Sequence, residues 1–188
     1  MDRREIIKYF EEKRVITRGK FVGKSGTEYS IETDLRNALL SYDSAQRTAQ
    51  MLVSYIYDYI DDAAFIGVPE TGSLLAFYLN EAKHRRSGND YMPNMLRSIP
   101  KEYQLSTNSV FTVLPVDVRQ RYVLVEDDVV TGSTLCKYLR IAKEAGVNIV
   151  GVVTVFGRDS AITVKKLCEE YGIPYLEVIN VKNIPGDV

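Results

Sequence analysis

Residues 122–146 read YVLVEDDVVTGSTLCKYLRIAKEAG. Four apolar or aromatic residues lead into the acidic run Glu126-Asp127-Asp128. The chain then passes through Thr131-Gly132-Ser133-Thr134 into a segment with helical spacing that closes at Gly146. This predicts a buried strand, a tight turn and a helix. A helix N-terminus carries unpaired N–H groups and the positive end of the helix dipole, so the turn suits a phosphate. Gly132 lets the backbone approach such a ligand, and the hydroxyls of Thr131, Ser133 and Thr134 add donors. The carboxylates would face sugar hydroxyls or a magnesium ion, since facing the phosphate they would repel it. Together these groups suit a sugar phosphate. The plainer alternative is that Thr131 or Ser133 caps the helix.

The same alternation extends along the chain. Helices are expected over 2–18, 44–61, 70–86, 132–146 and 160–172, and strands over 63–69, 91–97, 122–127, 148–157 and 173–181. Residues 19–36 read as a loop and a short strand or hairpin. Alternating strands and helices predict an α/β fold, with a mainly parallel sheet covered by helices on both faces. We expect one domain over 1–188, with 1–40 forming a small N-terminal helix and hairpin addition. Residues 98–108, polar and without periodicity, read as a long loop of the kind that often serves as a lid.

Composition narrows the function classes. The chain has 188 residues, 45% hydrophobic and 26% charged, with a net charge of −1, which argues against broad nucleic-acid binding. No apolar run approaches the ~20 residues that span a bilayer. The charged start reads as an amphipathic helix and not as a secretory signal. The two cysteines, Cys136 and Cys168, sit in no metal-ligand spacing, so an intracellular, cytoplasmic setting is expected. The single histidine, His84, lies in a KHRR run and is expected at the surface.

In an open α/β sheet ligands gather beyond the carboxyl ends of the strands, which singles out a second loop, Gly67-Val68-Pro69-Glu70-Thr71-Gly72-Ser73. A third candidate, Gly23-Lys24-Ser25, suggests a nucleotide-binding P-loop. Its spacing is wrong, because Arg18 occupies the required glycine position.

The 125–134 segment, V-E-D-x-x-x-T-G-x-T, resembles the motif by which type I phosphoribosyltransferases bind 5-phosphoribosyl 1-pyrophosphate (PRPP). The resemblance implies that Glu126 and Asp127 hold the ribose hydroxyls and that Val130, Thr131, Gly132, Ser133 and Thr134 cradle the 5-phosphate. Asp128 stands where the family usually has an apolar residue, and Val130 where many members have Thr or Asp. GVPETGSLLA resembles the pyrophosphate loop GVPYTALPLA of the orotate branch. Pro69, Glu70, Thr71 and Gly72 would then meet pyrophosphate through backbone N–H groups.

KSGTEYSIETDLR resembles KSGxxSPxYxDLR of orotate phosphoribosyltransferases. This places Lys24 and Glu32 at the base side, with Glu32 replacing an aromatic residue, and gives Asp34 and Arg36 a structural role. Residues 97–104 resemble the lid segment RKExKDYG. Arg97 and Lys101 are kept as catalytic cations, while Ser98 and Gln104 replace a basic residue and a glycine. Arg158 matches the base-facing arginine of LLDRE. The resemblance spans roughly residues 5–184.

It implies a magnesium-dependent pentosyltransferase of pyrimidine biosynthesis. Such an enzyme transfers phosphoribosyl from PRPP to orotate, giving orotidine 5-monophosphate and pyrophosphate. Magnesium would be held mainly by PRPP, with Asp127 reaching it through water. A homodimer is implied, with the lid lysine acting in the partner's site. Competing readings are a phosphoribosyltransferase for another nucleobase, motivated by Glu32, and a non-catalytic PRPP or nucleotide-binding regulator, motivated by the altered lid and Val130. A phosphoacceptor regulator would carry its acidic pair near the N-terminus, whereas this one begins at Glu126.

Overall fold

The computed structural model describes residues 1–22, 28–57, 62–91, 94–97, 112, 114, 117, 119–158 and 162–185. The chain opens with helix α1 (Arg3–Glu12), headed by a capping box. The Asp2 side chain accepts from the Arg4 N–H, and Glu5 accepts from the Asp2 N–H. The helix ends well before the expected residue 18. The Val15 N–H reaches back to the Phe10 carbonyl and the Arg14 N–H to that of Glu11, while Arg14 sits at φ 56°. This is a Schellman stop with an arginine in the left-handed position that glycine usually takes. The β-branched Val15-Ile16-Thr17 run then extends into strand β1 (Ile16–Val22). It pairs antiparallel with β2 (Glu28–Thr33), forming the N-terminal hairpin.

Asp34 accepts from the Arg36 N–H and chelates its guanidinium at 2.7 and 2.8 Å, capping a short 3-10 turn, Leu35–Ala38. Helix α2 (Tyr42–Ile56) follows, capped by Ser41. Next come β3 (Ala64–Gly67), α3 (Thr71–Ser87), β4 (Asn94–Met95), β5 (Arg121–Val129), α4 (Ser133–Glu144), β6 (Asn148–Gly157), α5 (Ile162–Glu170) and β7 (Tyr175–Asn180).

Strands β3 to β7 form one parallel sheet in the order β4-β3-β5-β6-β7. Successive side chains point to opposite faces, so the sheet feeds two cores. Phe65, Val123, Val125, Val153 and Val155 pack with α1, α2 and α3 on one face. Ala64, Ile66, Tyr122, Leu124 and Val152 pack with α4 and α5 on the other. Cys136 and Cys168 are buried, unbridged, in this second core. His84 is exposed on α3.

Within the expected strand 91–97, β4 covers Asn94 and Met95, which meet β3 at Ile66 and Gly67, while 92–93 lie outside the described residues. Helix α3 also bonds to β3. Asn80 accepts from the Phe65 N–H and donates to the Phe65 carbonyl, both at 2.8 Å. One turn on, the buried Lys83 donates to the Ala63 carbonyl at 2.7 Å and lies over the Tyr91 ring at 4.6 Å.

From β3 the chain crosses to β4 on one side, and from β5 it crosses to β6 on the other. Crossovers of one hand running in opposite directions put α3 and α4 on opposite faces of the sheet. The carboxyl ends of β3 and β5 therefore border a crevice at the switch point.

Candidate functional site

Both helices at this crevice begin without a side-chain cap. Glu70 heads α3 and Gly132 heads α4, and neither position has a side-chain bond to the first turn. Gly132 takes φ 82°, and a Cβ there would meet Val164 Cγ2 at 2.3 Å. Turn geometry and the packing of α5 thus both demand glycine. The capping alternative is met in part: Thr131 Oγ1 accepts from the Ser133 N–H at 3.5 Å and contacts the Ser133 hydroxyl at 3.1 Å. Val130, Thr131 and Thr134 are exposed around a cavity of about 170 Å³, which Glu126, Asp128 and Gly132 also line, and Ser133 is exposed beside them in the chain.

The first turn of α3 closes against the same place. Ser73 Oγ donates to the Gly67 carbonyl at 3.2 Å, and the Val68 N–H donates to that of Val125 at 2.9 Å. A Cβ on Gly72 would meet the Val125 carbonyl oxygen at 2.7 Å and Glu126 Oε1 at 3.5 Å. Glycine at 72 therefore lets the pyrophosphate-loop candidate touch the acidic end of β5. Pro69 is half-buried, Glu70 exposed and Thr71 half-buried, and the Pro69–Glu70 peptide is cis.

Strand β5 runs two residues beyond the expected 127, pairing Asp128 with Phe156 and Val129 with Gly157. Glu126 is 8% exposed and accepts from the Asp127 N–H at 3.1 Å. Burial, then the neighbouring Asp127 and Asp128 carboxylates, push its carboxyl up to about 9. It is therefore protonated at neutral pH, which removes one of the charges that would repel a phosphate. A neutral carboxyl can both donate to and accept from a sugar hydroxyl. Asp127 is half-buried beside it.

The acidic run also reaches the N-terminal hairpin. Thr33 Oγ1 donates to Asp128 Oδ2 at 2.5 Å, and Arg158 Nη2 lies 3.3 Å from the Thr33 hydroxyl and 3.5 Å from the same Asp128 oxygen. The Arg158 guanidinium lies over the Tyr29 ring at 5.8 Å. Arg158 sits just past β6 and donates its N–H to the Val129 carbonyl at 3.2 Å. Asp128 Oδ1 and Arg158 Nε are buried without a hydrogen-bond partner. Burial raises the Asp128 carboxyl, against the opposing pull of Thr33 and Arg158.

The structure thus gathers Glu126, Asp127, Gly132 and its flanking hydroxyls, and Gly72 with Thr71, at one crevice, with Arg158 at its edge. It does not bring Glu32 there. Tyr29 and Thr33 share the face of β2 that meets Arg158. Glu32, opposite Thr17 in the register, is exposed on the other face. Arg97 Nε donates to the Thr112 carbonyl at 2.9 Å. Lys24 and the lid residues Ser98, Lys101 and Gln104 lie outside the described residues. Sequence reasoning noted Asp128 only as a departure and gave Thr33 and Tyr29 no part. Among the described residues no group of three or more His, Cys, Asp or Glu could hold a metal ion by itself.

A five-stranded parallel sheet with helices on both faces, two helix starts at its switch point and an acidic strand end between them match the type I phosphoribosyltransferase fold of the solved structures that this chain resembles. No protein-family model matches the chain. The chain is similar to an orotate phosphoribosyltransferase of Streptomyces coelicolor, 27% identical over 174 residues that cover 93% of this chain and 92% of the relative. The orotate phosphoribosyltransferase of Francisella tularensis superposes with a TM-score of 0.74 at 20% identity, over 96% of this chain and 87% of that one. That of Mycobacterium tuberculosis in complex with PRPP superposes with a TM-score of 0.67 at 20% identity, over 97% and 98%. The resemblance read from the sequence, to type I phosphoribosyltransferases of the orotate branch, is borne out by these relatives, which are pentosyltransferases.

Proposed function

We propose that the chain transfers phosphoribosyl from PRPP to a nucleobase. The observation that carries this is the pair of helix starts, α3 and α4, whose cap residues Glu70 and Gly132 make no side-chain bond and which meet at the buried Glu126. Two anion sites separated by a group that reads hydroxyls match a ribose with a phosphate at one end and a pyrophosphate at the other. The turn over 130–134 takes the 5-phosphate, and Glu126 and Asp127 take the ribose hydroxyls. The backbone at 69–72 takes pyrophosphate. The bond between ribose C1 and pyrophosphate breaks, a base nitrogen bonds to C1, and the base proton leaves to solvent. Arg97 and Lys101 stabilise the charge that grows on pyrophosphate. Asp127 would help hold a magnesium ion that came with PRPP, and the ion would supply charge neutralisation to the leaving group.

Orotate, giving orotidine 5-monophosphate for pyrimidine synthesis, is the base that the relatives' names support. A second reading, another nucleobase, is favoured by the carboxylate already seated on Arg158. We further propose a homodimer. Leu74 and Phe77, one turn apart on α3, are 46% and 55% exposed and continue through the Tyr78 ring to the exposed Tyr42, an apolar surface such a partner could cover. No helix among the described residues is long and apolar enough to cross a membrane, and we propose a cytoplasmic enzyme.

The test is pyrophosphate release from PRPP with magnesium and a panel of bases. We expect base-dependent release that falls about a hundredfold in Lys101→Ala. PRPP binding by calorimetry with no turnover on any base would refute the transferase and favour a nucleotide-binding regulator.

A further inference from the structure

Arg158 is the cation at the base edge of the site, and its partners come from two distant segments. Asp128, at the end of β5, places one carboxylate oxygen 3.5 Å from Arg158 Nη2. Thr33, at the end of β2, donates to that same oxygen and accepts from the same guanidinium nitrogen. The three groups form a closed set, with the Tyr29 ring beside it. Asp128 also lines the phosphate-side cavity with Glu126, two residues earlier on the same strand face. It therefore borders both the cavity and the guanidinium.

A carboxylate-bearing base that used Arg158 would bring a second anion to a guanidinium that already holds one. Two carboxylates sharing one partly buried cation repel each other, and one must leave or take up a proton. A base uncharged on that edge meets no such conflict.

We propose that Asp128 sets the base specificity of this site: by holding Arg158 in a carboxylate–guanidinium pair it disfavours a base that carries a carboxylate relative to one that does not. The inference rests on the phosphoribosyl-transfer reading of the crevice and names the substrate class that reading leaves open. Glu32, which sequence alone pointed to for this role, is on the far face of β2.

The test is equilibrium binding of uridine and orotidine 5-monophosphates, which differ by the one carboxylate, so it does not depend on turnover. The wild-type protein should bind the uridine nucleotide at least as tightly as the orotidine one. In Asp128→Asn, and independently in Asp128→Val, the preference should move toward orotidine by about tenfold or more. In an Arg158→Gln background the Asp128 substitutions should leave the preference unmoved. A preference that changes by less than about twofold in both variants, or that moves toward uridine, overturns the proposal, as does failure of the wild-type protein to bind either nucleotide. Selective binding without turnover of PRPP on any base would sustain the role of Asp128 and overturn the transferase reading, so the two failures are distinguishable.

Discussion

Glu126 makes the stability of the ligand-free protein depend on pH in a direction opposite to that of a salt-bridged carboxylate. Its folded-state value is raised to about 9 from 4.5. Between those two values the folded chain holds a proton that the unfolded chain lacks, so unfolding releases it. Stability from this group is complete below the unfolded value and is lost as pH rises toward the folded one. The slope is about 1.4 kcal/mol per pH unit while the difference lasts, or about 3 kcal/mol between roughly pH 6 and pH 8. Gln at 126 keeps the shape and the acceptor for the Asp127 N–H but cannot ionise. Urea unfolding of wild-type and Glu126→Gln proteins, without ligand, isolates the group. The wild-type protein should lose about 3 kcal/mol relative to the variant over that interval. Parallel stabilities, or a wild-type protein that gains on the variant as pH rises, would refute a protonated Glu126. The claim that the phosphate side is relieved of that charge would fall with it.

Two further substitutions test the frame around the crevice. Asn80→Leu leaves the Phe65 N–H and carbonyl buried without partners and should cost about 2–5 kcal/mol in denaturant unfolding. Gly132→Ala combines a left-handed backbone with a Cβ driven into Val164. It should cost at least ~2 kcal/mol and weaken PRPP binding in calorimetry, because the α4 start must shift.

The central strands and the helices after them were legible because each combines an apolar run with a glycine or hydroxyl turn. The run from Tyr122 to Gly146 states strand, turn and helix in its own residues. Helix α1 was read too long because its stop is made by Arg14 in a conformation that glycine normally announces. The bonds that Asn80, one side chain on a helix, makes to the backbone of Phe65 had no signature in the sequence either. Such substitutions of one bonding device for another leave no local pattern.

The base side was the least legible part for a related reason. Thr33 lies 95 residues from Asp128 and 125 from Arg158 in the chain, so no spacing rule links them. A motif comparison marks Asp128 and Glu32 equally as charged residues in apolar or aromatic positions. Strand alternation separates them, because it gives Thr33 and Tyr29 to the site and turns Glu32 to solvent. On the proposed reading, the side that takes the sugar phosphate comes from two continuous stretches, 69–72 and 126–134, which a local sequence can specify. The side proposed to meet the base combines side chains that the sheet and hairpin bring together. On that proposal a change of base could leave the 124–135 segment untouched except at Asp128, which borders both the cavity and Arg158.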